Sequence, residues 1–146
     1  MSSLASDIAR VARGKVGAKD WMYNVAKDEF AANTNKCNKF VFDVAVESGV
    51  KPPPKVSMYL FFSRPPTAGE WADPKVEING WDVVTSAQPG DIVAEAHRYA
   101  DATGHVGIVV GPSLTVSASS NVGGVIVEND WGFRTGQTPT FRRYSR

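Results

Sequence analysis

Two residues in this chain have the types and settings to break an acyl bond. Cys37 lies in Asn35-Lys36-Cys37-Asn38-Lys39-Phe40-Val41, and His105 in Gly104-His105-Val106-Gly107-Ile108-Val109-Val110-Gly111. Cys37 is the only cysteine, so no intrachain disulfide can engage it. It stands in polar sequence just ahead of an apolar-periodic run that predicts a helix. A thiol at a helix N-terminus is drawn toward the thiolate by the helix dipole, and Lys36 and Lys39 add positive charge beside it. A histidine at the start of a strand can serve as its general base. Such a pair implies nucleophilic attack by sulfur on a carbonyl carbon. A lone cysteine is more often a small buried apolar residue; here the polar neighbours favour the reactive role.

His97, in Ala96-His97-Arg98-Tyr99, is the rival base. His105 is preferred because Gly104 leaves space beside it for substrate. Val106, Ile108 and Val110 also alternate with Gly107 and Val109 as in a central strand, a rigid support for an imidazole. His97 precedes a polar run and reads as a hairpin-loop residue. A third group normally accepts the other imidazole N–H. Strand adjacency favours Ser117, and charge favours Glu128 or Asp130 one strand further; the sequence leaves the three open. The Cys37 backbone N–H, at a helix start, is the expected oxyanion donor. Two histidines and one cysteine make no metal-ligand cluster, so neither metal nor cofactor is expected.

These residues need elements to hold them. Residues 3–16 predict an amphipathic helix with Leu4, Ile8 and Val11 on one face and Ser3 or Ser6 as cap. Residues 37–49 give the clearest helix: Phe40, Val41, Val44 and Ala45 recur at helical spacing and Gly49 ends it. Residues 21–33 are apolar without a clean period and predict a loop or short helix beside the site. Lys51-Pro52-Pro53-Pro54-Lys55 predicts a rigid extended connector, and 57–62 a short helix. Residues 64–80, rich in proline and glycine, predict a long loop; with Trp21, Tyr23, Trp71 and Trp81 it is expected to wall a substrate groove. From Trp81 onward, strands separated by short turns predict an antiparallel meander. Helices first and sheet second make an α+β domain.

A length of 146 residues predicts one domain, 1–146, with a modest core. A net charge of +1, from 16 basic and 15 acidic residues, gives no footing for nucleic acid. Arg134, Arg142, Arg143 and Arg146 form a local basic excess that reads as a solvated terminal strand. No apolar run is long enough to span a membrane. Asp7, Arg10 and Arg13 interrupt the first residues, so a signal peptide is not expected. Synthesis in the cytoplasm, followed by delivery along a route without a cleaved signal, is the expectation.

Four segments, in order, resemble the papain-like cell-wall peptidases of the NlpC/P60 and CHAP type. Asn35-Lys36-Cys37-Asn38-Lys39-Phe40-Val41 is similar to the helix opening Asp-Cys-Ser-Gly-Phe/Leu-Val. Gln88-Pro89-Gly90-Asp91-Ile92-Val93 resembles Gln-Pro-Gly-Asp-Leu-Val. The segment 104–111 resembles His-Val-Gly-Ile-Tyr-x-Gly, and Val116-Ser117-Ala118-Ser119 followed by Gly124-Val125-Ile126-Val127 resembles Ile-His-Ala-Ser…Gly-Val-x-Ile. Glu128-Asn129-Asp130-Trp131 is similar to the CHAP Glu-x-Asn before Trp, with Asp in place of Asn. The resemblance implies N-terminal helices packed on an antiparallel sheet, with Cys37 as nucleophile and His105 as base. The third polar position falls at Ser117, where the family usually has His, Asn or Gln. The implied substrate is an amide bond of peptidoglycan stem peptides. A narrower similarity to antibacterial amidase effectors of type VI secretion implies a cognate immunity protein as partner. Phage endolysins, protein-directed acyltransferases or deamidases, and an inactive binding module are the alternatives.

Overall fold

A computed structural model of the chain describes residues 3–50, 65–96, 103–119, 122–130 and 138–145. The elements are α1 (Leu4–Gly14), α2 (Cys37–Glu47), α3 (Ala68–Ala72), β1 (Trp81–Val84), β2 (Ile92–Ala96), β3 (Gly104–Gly111), β4 (Leu114–Ala118), β5 (Ile126–Asn129) and β6 (Thr140–Tyr144). This is the expected α+β arrangement, helices first and sheet second. The connector at 51–55 and the helix expected at 57–62 lie outside the described residues, as does His97.

α1 opens on Ser3, whose hydroxyl accepts the Ser6 N–H at 3.1 Å, a cap worth about 1 kcal/mol. Its buried face, Ile8, Val11 and Ala12, joins Phe40, Val41 and Val44 of α2 over Ile92, Ala94, Val106, Ile108 and Val116 of the sheet. The helical spacing on α2 and the alternation on β2 and β3 meet in one core because both periods present one apolar face.

The six strands run in the order β1-β6-β2-β3-β4-β5, every pair antiparallel. From β2 to β5 this is the expected meander. β6 departs from it: it returns to lie between β1 and β2, pairing Phe141 with Val84 on one side and with Val93 on the other. Two arginines secure it there. Arg142 is buried, and its guanidinium donates to the carbonyls of Trp71, Asp73 and Val76 at 2.9, 2.6 and 2.9 Å. Arg143 forms a bidentate pair with the buried Asp91 carboxylate at 2.9 and 2.8 Å. The basic C-terminal segment is therefore a structural clamp at these two positions, not a solvated face.

Residues 65–80 are likewise more ordered than the expected loop. Thr67 and Glu70 close a capping box, with Thr67 Oγ1 accepting the Glu70 N–H at 3.1 Å and Glu70 Oε1 accepting the Thr67 N–H at 2.8 Å. The helix this starts, α3, packs on β2 and β3, and the Arg142 clamp holds its end. The Gln88-Pro89-Gly90-Asp91 segment is a turn in which Gly90 takes a φ of 94°. Asp91 accepts the Gln88 N–H at 2.8 Å before reaching Arg143.

Candidate active site

Cys37 is the first residue of α2, which packs across β3 and β4. Those two strands carry His105 and Ser117. The approach to Cys37 is built by the loop 20–36, which docks on α2 through Trp21: its indole donates to Asp43 Oδ2 at 2.9 Å and stands edge-on to Phe40 at 5.0 Å. Of the two sequence expectations for 21–33, the loop is found.

Three neighbours of Cys37 are not what their types suggest. Lys36 is buried, 2% exposed, and its ammonium donates to the carbonyls of Met22, Tyr23 and Thr34 at 3.2, 3.2 and 2.9 Å. Those bonds use all three ammonium protons and tie the loop to the head of α2. Burial pushes the Lys36 pKa down. No carboxylate bond to it is found among the described residues; the partners found are these carbonyl dipoles. Lys39 is also buried but is surrounded by Asp43, Asp28 and Glu29 at 2.9, 3.0 and 3.4 Å. Burial lowers its pKa, and the hydrogen bonds of Asp43 and Asp28 outweigh that and raise it. A cation matched by three anions offers a thiolate little. Asn35 is the third: its Oδ1 accepts the Cys37 N–H at 3.0 Å, an Asx turn that substitutes for an N-cap. The N–H expected to serve as oxyanion donor is thus already bonded.

Replacing Lys36 by methionine should therefore act first on stability. Three buried carbonyls would lose their donor, a loss of about 2–4 kcal/mol, readable as a lower urea midpoint at unchanged m-value.

The structure brings His105 and Ser117 together, with His105 Nε2 and Ser117 Oγ 3.1 Å apart. Ser117 is buried and His105 half-buried. The antiparallel register explains why the carboxylates are not there. β5 pairs Val127 with Ser117 and Asn129 with Thr115, so it runs away from the His105 end of β4. Asp130, one residue beyond, is exposed. Glu128 bonds Arg13 of α1 at 3.0 Å. Strand adjacency, not charge, decides the neighbour of the imidazole.

Two further expectations are corrected. The space beside His105 does not come from Gly104: a Cβ there would overlap the Glu95 carbonyl oxygen, so this glycine lets β2 approach β3 closely. Trp71 and Trp81 are core residues, packed edge-to-face at 5.3 Å, and Trp21 is buried as well. Of the four aromatics expected to wall a groove, Tyr23 alone is exposed, at 41%.

One residue of this region is invisible to motif reasoning. Glu95 sits directly across the β2–β3 ladder from His105 and is buried. A glutamate in an apolar strand beside a candidate base is a detectable signal, but its pairing with His105 depends on the length of the hairpin between them.

Among the described residues no group of three or more His, Cys, Asp or Glu side chains is placed to hold a metal ion. Nor is any helix there long and apolar enough to cross a membrane.

A helix opening on cysteine and packed over an antiparallel sheet that carries a histidine and its polar neighbour on adjacent strands defines the class: the chain has the papain-like fold of the NlpC/P60 proteins. The solved structures it resembles make this concrete. NlpC2 from Trichomonas vaginalis superposes with a TM-score of 0.59 at 22% identity, over 99% of this chain and 47% of that one; the chain spans about half of that protein's length. The P60 domain of antigen MAP1204 from M. avium subspecies paratuberculosis gives 0.58 at 14% identity, covering 96% and 93%. The type VI effector Tae3 of Ralstonia pickettii, solved with its immunity protein Tai3, gives 0.51 at 16% identity, covering 96% and 98%. No family model matches the sequence, and no curated protein does.

Proposed function

We infer that the protein is a cysteine amidase that hydrolyses amide bonds in peptidoglycan stem peptides. The observation that carries this reading is the contact between His105 Nε2 and Ser117 Oγ at 3.1 Å, on the two strands beneath the helix that Cys37 opens. With Nε2 at Ser117, Nδ1 is assigned to serve the thiol. Sulfur attacks the amide carbon, and the C–N bond breaks as His105 passes the thiol proton to the leaving amine. Water then adds to the thioester, giving a proton back to His105, and the C–S bond breaks to release the acid. Lys36, a buried cation adjacent in sequence to Cys37, favours the thiolate.

Ser117 acts in this scheme by fixing the ring. Ser117→Ala should lower kcat by about tenfold, the rate equivalent of roughly 1.4 kcal/mol for one neutral hydrogen bond, with KM little changed. Asp130→Asn should be silent in the same assay, because the carboxylate is exposed beyond the far end of β5.

The match to Tae3 over nearly the whole of both chains, 96% and 98%, supports the finer reading of an antibacterial effector delivered to the cell wall of a competitor, with a cognate immunity protein. Expression in the cytoplasm of a Gram-negative host should then be tolerated. The same chain directed to the periplasm by an added signal should lyse the cells, and Cys37→Ala should remove the toxicity. Harmless periplasmic delivery of folded protein would turn the reading toward acyl transfer or deamidation of a protein.

A further inference from the structure

The buried face around His105 contains a carboxylate that the reaction as described does not use. Glu95 is 3% exposed, and its Oε2 finds no hydrogen-bond partner among the described residues. The β2–β3 register sets Glu95 and His105 as direct partners. Directly opposed residues of an antiparallel pair point to one face, with Cβ atoms about 4.5–5.5 Å apart. Gly104, next to His105, draws the two strands together at this point, because its missing Cβ admits the Glu95 carbonyl oxygen.

A buried carboxylate with an unpartnered oxygen is expensive unless a cation lies within reach. Among the described residues, the other charged groups on the elements packed around this hairpin are already engaged. Arg142 of β6 is bound to the carbonyls around α3, and Arg143 to Asp91 ahead of β2. Glu70 of α3 closes its capping box. On α2, Lys39 is matched by three carboxylates, and Lys36 before it rests on three carbonyls. Arg13 of α1 bonds Glu128 of β5. β4 contributes the neutral Ser117. Among the described residues, the imidazolium of His105, directly across the ladder, is the cation the carboxylate can serve.

We propose that Glu95 is a positioning residue for His105: its buried carboxylate, opposite the imidazole across β2 and β3, stabilises the imidazolium that pairs with the Cys37 thiolate. The proposal rests on the Cys37–His105 reading of the site, although not on which amide is cut. It supplies the negative charge that Glu128 and Asp130 cannot, from the strand on the other side of β3. Ser117 orients the ring on one side, and Glu95 compensates its charge on the other.

The test is a proton NMR titration of His105 in the Cys37→Ala protein, with and without Glu95→Gln. His97→Gln assigns the two histidine signals, and removing the thiol leaves the imidazole to report on Glu95 alone. The expected result is a His105 pKa lower by about one unit or more in the Glu95→Gln protein. In the active protein the same substitution should move the alkaline limb of kcat/KM to lower pH. Glu95→Met, similar in length and uncharged, should reproduce the lower pKa should the glutamine protein fail to fold. An unchanged His105 titration in a folded variant would overturn the proposal. Because the titration needs no substrate, it is decided separately from a failure to cut peptidoglycan.

Discussion

Cys37→Ala is expected to lower hydrolysis of a stem-peptide amide by roughly 10⁴-fold or more, while the protein stays folded. The substitution removes the atom that bonds to the acyl group, and no other cysteine is present to replace it. Cys37 is buried at the head of α2, so loss of the sulfur should cost only about 1 kcal/mol of stability. Circular dichroism and a urea curve can verify that. A folded Cys37→Ala protein that kept more than a small fraction of the wild-type rate would remove sulfur from the mechanism.

His105→Ala should be nearly as damaging, and the double variant Cys37→Ala/His105→Ala no worse than either single one, because nucleophile and base act as a unit. The thiol itself can report the coupling. Alkylation of Cys37 by iodoacetamide near pH 6, below the ordinary cysteine pKa of about 8.5, should be much slower once His105 is gone. His97→Ala should leave both alkylation and turnover close to wild type. If the two histidines exchanged these effects, the base would be His97 and not the histidine of β3.

The parts of the molecule legible in the sequence were those set by local periodicity. The apolar spacing of Phe40, Val41 and Val44 marked α2 and put Cys37 at its head. The alternation of Val106, Ile108 and Val110 marked β3, and adjacency of consecutive strands favoured Ser117 while charge favoured Glu128 or Asp130. What escaped depended on partners distant in sequence. The return of β6 between β1 and β2 is set by Arg142 reaching carbonyls some seventy positions earlier, around α3. Lys36 and Lys39 look like surface residues because lysine is seldom buried without a partner. Their burial follows from the Met22, Tyr23 and Thr34 carbonyls in one case and three carboxylates in the other. The capping box of Thr67 and Glu70 was present as a Thr-x-x-Glu signal, outweighed by the prolines and glycines around it. Glu95 could be placed on β2 from its apolar neighbours. That it faces His105 required the hairpin register.

The same contrast explains the site's chemistry. Sequence proximity offered Lys39, Gly104 and the Cys37 N–H as contributors to catalysis. Each has a structural task instead: an ion-pair cluster, a close strand approach and an Asx turn with Asn35. His105 and Ser117 do meet, at 3.1 Å, and Lys36 is buried beside the start of α2.

Mass analysis of muropeptides after incubation of purified peptidoglycan with the protein tests the central claim most directly. The account predicts new fragments in which one stem-peptide amide has gained a water, giving a free amine and a free carboxylate at a single kind of bond. They should be absent with Cys37→Ala and sharply reduced with His105→Ala. Unaltered muropeptides from a folded, alkylatable enzyme would contradict it.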